Sequence, residues 1–280
     1  MRISVEVDDD LIEAIIDSDR HSTTREIAEK LRVSHTCIEN RLKQLGYVRK
    51  LDTWVPRELK EKHLTRRINS CDLQKKHNEN DPFLKRVITG DEKWVVYNNI
   101  KRKRSRSRPR EPAQTTSKAD IHRKKVLLSV WWDYKGIVYF ELLPPNRTIN
   151  SVVYIEQLTK LNDAVEEKRP ESTNRKGVVF HHDDARPHTS LVTRQKLLEL
   201  GWDVLPHPPY SLDLAPSDYF LFRSLQNSSN GKNFNNDDDI QSYLIHFFAN
   251  KNQKFYERGI MMLSERWQKI IDQNGQRITE

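Results

Sequence analysis

At 280 residues, 36% apolar and 31% charged, the chain has length for one large domain or two unequal ones, and six Trp within 9% aromatics are enough to build a core. No apolar run approaches the roughly 18 residues of a membrane span, the amino-terminal MRISVEVDDD lacks the apolar stretch of a secretory signal, and two cysteines, Cys37 and Cys71, are too few for a disulfide framework or a zinc cluster. An intracellular, reducing compartment is expected. The net charge of +8 is uneven: residues 1–50 carry −1, 51–80 carry +2, 81–130 carry +9 and 131–280 carry −2. Positive charge focused in one window beside near-neutral segments points to a polyanion, nucleic acid first; a solvated basic loop or a nuclear-import signal is the alternative.

Residues 1–47 read as a small all-α domain. Residues 8–17 offer Leu11, Ile12, Ile15 and Ile16 on one helical face. Thr23 and Glu26 have the spacing of a capping box before Ile27, Ala28 and Leu31. The helix breaks at Arg32-Val33-Ser34, and Ser34 can cap a third helix, with Cys37, Ile38, Leu42 and Leu45 inward and Gly46 closing it. This is the pattern of a helix-turn-helix DNA-binding domain, against an ordinary three-helix bundle as the plainer reading. Its last helix presents His35, Thr36, Asn40, Arg41 and Lys43; Asn and Arg suit bidentate contacts to adenine and guanine edges.

Residues 48–80 read as a linker that gains helix partway. From residue 81 strands alternate with helices. Residues 86–89 and 94–97 are β-like, 124–132 (KKVLLSVWW) form a near-continuous apolar strand, and 136–143 (GIVYFELL) form the next. Helical spacing covers 150–167 and 190–200, short strands 178–181 and 203–205, and further helices run to the end, one around 255–271. This predicts an α/β domain over 81–280, a mixed sheet with helices on its faces. No GxGxxG or P-loop pattern supports a nucleotide-binding fold.

Three carboxylates stand out by their setting. Asp91 follows the strand-like 86–89 through Gly90, Asp183 follows 178–181, and Asp218 begins a helix in Pro216-Ser217-Asp218. Carboxylates at strand ends and a helix start can converge at one sheet edge, where hard cations take oxygen ligands. Two such ions about 4 Å apart can activate water or a hydroxyl on one side and stabilise the leaving oxygen on the other. Each Asp alone is equally a cap or a surface ion pair. Glu92 reads as structural. His181, His182 and His188 lack zinc-site spacing and read as supports of the ligands or as nucleic-acid contacts.

With these residues assembled, the chain resembles the mariner family of DNA transposases over essentially its whole length. Trp54-Val55-Pro56-Arg57-Glu58-Leu59 is similar to the family's WVPHEL linker motif. Thr89-Gly90-Asp91-Glu92-Lys93-Trp94 is similar to the segment with the first catalytic Asp, and His182-Asp183-Asp184-Ala185-Arg186-Pro187-His188 to the HDNAxxH segment with the second. The run from Tyr210 to Tyr219 resembles YSPDLAPSDY and ends with the third, Asp218; the 34 residues between Asp183 and Asp218 match the family spacing.

The resemblance implies an RNase H-like catalytic domain with Asp91, Asp183 and Asp218 holding two Mg²⁺ or Mn²⁺ ions. It implies cleavage at terminal inverted repeats of double-stranded DNA, joining to a TA target, a homodimer and action in the nucleus. The basic stretch 100–125 falls where the family has a clamp loop that packs on the partner's linker and near DNA. Lys101, Arg102, Lys103, Arg104, Arg106, Arg108, Arg110, Arg123, Lys124 and Lys125 are its expected phosphate contacts. The chain is also similar to the transposase part of a primate protein that fuses such a domain to a SET domain.

Members begin with two helix-turn-helix modules and this chain starts at the second, so part of end recognition is expected to be missing. Arg57 replaces the motif's His, and Phe220 stands where the family usually has His. Leu212 replaces a Pro, removing a φ restraint. Asp184 replaces Asn and is expected to raise the cluster's carboxylate pKa values by like-charge repulsion. A DNA-binding protein whose chemistry has decayed is the alternative reading.

Overall fold

The computed structural model describes residues 8–19, 22–47, 58–99, 124–145, 147–171 and 177–278. Trp54, Val55, Pro56 and Arg57 of the linker motif, and Lys101, Arg102, Lys103, Arg104, Arg106, Arg108, Arg110 and Arg123 of the basic segment, lie outside the described residues. The chain divides into two compact units, Met1–Val55 and Pro56–Glu280.

The first unit holds α1 (Asp9–Ser18), α2 (Thr24–Leu31) and α3 (His35–Gln44). Each starts where a side chain satisfies donors that a first helical turn leaves open. Asp8 accepts from the Asp10 amide at 3.0 Å, and Ser34 Oγ accepts from the Cys37 amide at 3.2 Å. Thr23 and Glu26 close the reciprocal box, with the Glu26 amide on Thr23 Oγ1 at 3.2 Å and the Thr23 amide on Glu26 Oε2 at 2.6 Å. α2 ends as Arg32 turns left-handed at φ 53°. α3 ends through Gly46, φ +80°, with the Tyr47 amide reaching the Leu42 carbonyl at 2.9 Å. Ile12, Ile27, Ala28 and Ile38 form the buried centre. Leu11, expected on the inner face, is instead 51% exposed; the stripe through Ile12, Ile15 and Ile16 leaves it one position off the contact face.

The second unit is built on a five-stranded sheet in the order β3-β2-β1-β4-β5. Its strands are β1 (Val87–Val96), β2 (Lys125–Asp133), β3 (Gly136–Leu143), β4 (Val179–His181) and β5 (Asp203–Val204). The first three form an antiparallel meander, β4 runs parallel to β1, and β5 runs parallel to β4. The helices are α4 (Glu61–Asn80), α5 (Ser151–Lys168), α6 (Leu191–Glu199), α7 (Phe222–Ser229), α8 (Asp237–Ala249) and α9 (Gln253–Asp272). Alternation along the strands divides the core between the two faces. Val87, Leu128, Val130 and Trp132 pack with Ile260, Leu263 and Trp267 of α9; Ile88, Trp131, Val138 and Phe180 pack with Tyr154, Leu158 and Leu161 of α5.

One expectation changes. The strand predicted to break at Gly90-Asp91 runs unbroken through both residues, so Asp91 lies within β1 and not past its end. Gly and Asp are poor strand formers. Here Gly90 pairs opposite Trp131, and a Cβ on it would lie 2.2 Å from the indole, so the ring fills the missing side chain's space. The helix expected partway through 48–80 is α4, 20 residues that pack along α9. Among the described residues no helix is long and apolar enough to cross a membrane.

Candidate active site beside the parallel strand pair

The ladder between β1 and β4 ends at Thr89 opposite His181. Asp91 and Asp183 each stand two residues beyond that last pair, on neighbouring strands running the same way. β1 continues past this point because β2 still pairs with it, up to Val96 opposite Lys125. The sequence boundary at residue 89 was thus the end of one ladder and not of the strand. Asp218 arrives from the α9 side, in a π-helical turn (Ser217–Leu221) that leads into α7. Such wide turns are recurrent at functional sites.

The electrostatics bind the three together. Asp91 is held well above the ordinary carboxylate range by burial first, then by Asp218, Glu92 and Asp183; the Glu92 amide on its Oδ1 at 2.6 Å only partly offsets this. Burial also raises Asp218, to about 6, against the opposing effects of a hydrogen bond shared with Asp91 and the nearby Lys93 cation. Asp183 behaves differently. Burial would raise it, but the His188 ring nitrogen at 2.5 Å, its charge, and the Ala185 amide at 3.0 Å hold it at about 2. Burial alone would lower His188; its bonds to Asp183 and to Glu92, the latter at 3.5 Å, push it up to about 10. The site therefore pairs one firmly ionised carboxylate with two that repel each other. The expectation that Asp184 raises the whole cluster is corrected: burial and Asp183 raise Asp184 itself, while Asp183 is lowered and burial leads the rise in Asp91 and Asp218.

The histidines serve as a scaffold. His181 bonds Thr89 Oγ1 at 2.9 Å and His207 at 3.2 Å. His182 bonds the Tyr154 hydroxyl at 2.8 Å and stacks on His188 at 5.3 Å between centroids. Burial lowers His182 to about 3 and His207 to about 4, so both are neutral supports near pH 7. Sequence reasoning missed Lys93 and set Glu92 aside as structural. Lys93 lies two residues after Asp91, on the same strand face, and its ammonium is 5.5 Å from the Phe222 ring. Strand alternation in Asp91-Glu92-Lys93 was the signal: Lys93 shares the Asp91 face, and Glu92 turns to the α5 side, where it meets His188.

Of the expected DNA contacts, His35, Thr36, Asn40 and Lys43 are exposed on α3. Lys43 lies 3.5 Å from Glu39, and Arg41 is half-buried, 3.1 Å from Asp9. Lys124 and Lys125 are exposed, with their ammonium groups over the rings of Tyr97 and Trp94 at 4.2 and 4.1 Å. Glu58 is exposed and Leu59 half-buried.

The donor set fits a hard divalent cation: two carboxylates in contact with a third beside them, all oxygen donors, with no thiolate. Among the described residues no three His, Cys, Asp or Glu side chains form a ready-made cage. Mg²⁺ does not need one, since it is commonly held by one or two carboxylates with water and substrate phosphate completing its shell.

A mixed sheet in this order, flanked by helices and carrying acidic residues at the parallel pair, is an RNase H-like domain. Residues 96–175 match the family model described as transposase (partial DDE domain). The Mariner Mos1 transposase of Drosophila mauritiana is 41% identical over 94% of this chain and 77% of its own length. The histone-lysine N-methyltransferase SETMAR of Homo sapiens is 42% identical over 96% of this chain, which spans only 40% of that protein. Solved Mos1 paired-end complexes, one with the left transposon end and others with Mn and with Mg, share 40% identity; each superposes with a TM-score of 0.92 over 100% of this chain and 82% of theirs. The chain belongs to the mariner family of DNA transposases.

Proposed function

We propose that this chain binds the terminal inverted repeats of a mariner element and cleaves and joins DNA phosphodiester bonds, with Asp91, Asp183 and Asp218 as the ligands of two Mg²⁺ or Mn²⁺ ions. The observation that carries the reading is the half-buried Asp91–Asp218 contact with Asp183 alongside, three carboxylates whose mutual repulsion a divalent cation would relieve. When bound, the metal supplies a Lewis acid that activates water or a 3′-hydroxyl and stabilises the leaving oxygen. The chain's own residues hold and orient. His188 keeps Asp183 ionised and fixed, and Lys93 sets a cation beside Asp218 where an incoming phosphate would add negative charge.

On this reading His35, Thr36, Asn40 and Lys43 of α3 face base edges and backbone, and the basic segment 100–125 lies along phosphates. Pairing two transposon ends calls for two copies of the chain, so a homodimer working on a TA target in the nucleus completes the proposal. The relatives solved as paired-end complexes, with Mn and with Mg, support it. The test is nicking of supercoiled DNA carrying a mariner end, with Mg²⁺ and with Mn²⁺, for wild type and Asp183→Ala. Metal-dependent nicking lost in Asp183→Ala is expected. Specific binding of the end without nicking by the wild type would favour the decayed, DNA-binding reading.

A further inference from the structure

Arg67 of α4 is fully buried, a guanidinium inside a protein core. Its Nη1 and Nη2 fork onto Asp213 at 2.8 and 2.7 Å, and Nη1 also donates to Ser211 Oγ at 2.7 Å. Nε donates to the Gly275 carbonyl at 2.8 Å, and Nη2 to that of Gln276 at 3.3 Å. A buried charge is tolerated only when paired and saturated with acceptors, and this one is. Its carboxylate partner lies five residues before Asp218. The Arg266 guanidinium donates to the Asp213 carbonyl at 3.0 Å and stacks 3.9 Å from the Tyr219 ring centre. Ser217 accepts from Trp132 Nε1 at 3.0 Å, and the Tyr219 hydroxyl donates to the Gly259 carbonyl at 2.8 Å. The backbone is thus fixed at 211, 213, 217 and 219, with Asp218 the one residue among them turned toward Asp91.

We propose that Arg67 is a positioning residue for Asp218: by gripping Ser211 and Asp213 from α4 it sets the turn that presents this carboxylate to the metal. The grip holds the turn on both sides of Leu212, whose side chain is 46% exposed. The inference rests on the metal-site reading above.

The test uses the full chain with Arg67→Lys, which keeps the charge but loses the fork, and Ser211→Ala, which removes one acceptor. Mn²⁺ affinity is measured by the electron paramagnetic resonance of free Mn²⁺, alongside circular dichroism, thermal unfolding and a Mn²⁺ titration of nicking. Arg67→Lys is expected to weaken Mn²⁺ binding by about 3- to 10-fold, less than the 10- to 100-fold typical of a ligand's direct partner, with cooperative unfolding retained and nicking recovered by excess metal. Ser211→Ala should shift in the same direction by less. Wild-type Mn²⁺ affinity in both variants overturns the positioning role alone. Loss of cooperative unfolding in both assigns Arg67 to stability only and likewise overturns it. A wild type that binds no Mn²⁺ removes the metal reading, and this inference with it.

Discussion

Adjacent residues in β1 meet opposite demands. Gly90 must have no side chain, because the Trp131 indole occupies that space 2.2 Å from where a Cβ would sit. Asp91 carries a carboxylate within the strand, where burial disfavours its charge. Gly90→Ala is therefore expected to destabilise the second unit by at least about 1–3 kcal/mol through overpacking, read as a lower urea midpoint with an altered near-ultraviolet tryptophan signal. An unchanged midpoint would mean that the indole moves aside freely. Asp184 is a different case. Its carboxylate stands beside Asp183 and faces the cavity of about 380 Å³ that Asp183, His207 and Arg194 also line. An anion there opposes an incoming phosphodiester. Asp184→Asn should raise the nicking rate while leaving Mn²⁺ affinity unchanged; a rate that is equal or lower clears Asp184 as a brake.

Elements were legible where local chemistry sets them. The caps at Thr23 and Ser34 and the glycine stop at Gly46 lie within four residues of the bonds they control, and the structure has all three. Thr23→Ala should cost the first unit about 1 kcal/mol, seen as earlier loss of the helical signal in urea; an unshifted transition would show the box to be redundant. Long-range pairings were not legible. The continuity of β1 depends on β2, whose residues lie some forty positions on, and nothing local to Gly90-Asp91 predicts it. Arg67 was one of many cations in a polar segment, and its partner is 146 positions away. That pair also predicts an acid response. Burial would raise Asp213, but the Arg67 fork overrides it and holds the carboxyl below its ordinary value. A group depressed in the fold stabilises above its unfolded pKa and loses that contribution as pH falls through the folded one. Asp213→Asn should cost about 3–5 kcal/mol near neutrality, since it strands a buried arginine. The gap from wild type should be constant above about pH 5 and narrow progressively as pH falls below about 4. Urea melts across that range decide it; a gap that persists at the acid end would show that geometry rather than charge makes the tie.

At the scale of the whole molecule, the charge excess is an address. Fourteen basic and five acidic residues fall within 81–130, while the rest of the chain sums to −1. Much of that excess lies between the end of β1 at Val96 and the start of β2 at Lys125. Both strands flank the carboxylate cluster, since Asp91 is on β1 and pairs opposite Val130 of β2. On the proposed function, the cationic segment, which joins the strand bearing Asp91 to its antiparallel neighbour, is where duplex phosphates would bind. Each phosphate neutralised releases condensed counterions and adds about 0.9 to the slope of log K against log salt. Replacing Lys101, Arg102, Lys103 and Arg104 with Gln should accordingly lower the slope by about 3 to 4, with affinity falling equally for matched and scrambled ends because phosphates carry no sequence. Fluorescence anisotropy across a salt series, with metal withheld, measures both. A slope that does not move, with affinity lost only for the paired-end complex, would reassign these four cations from DNA to the contact between two copies of the chain.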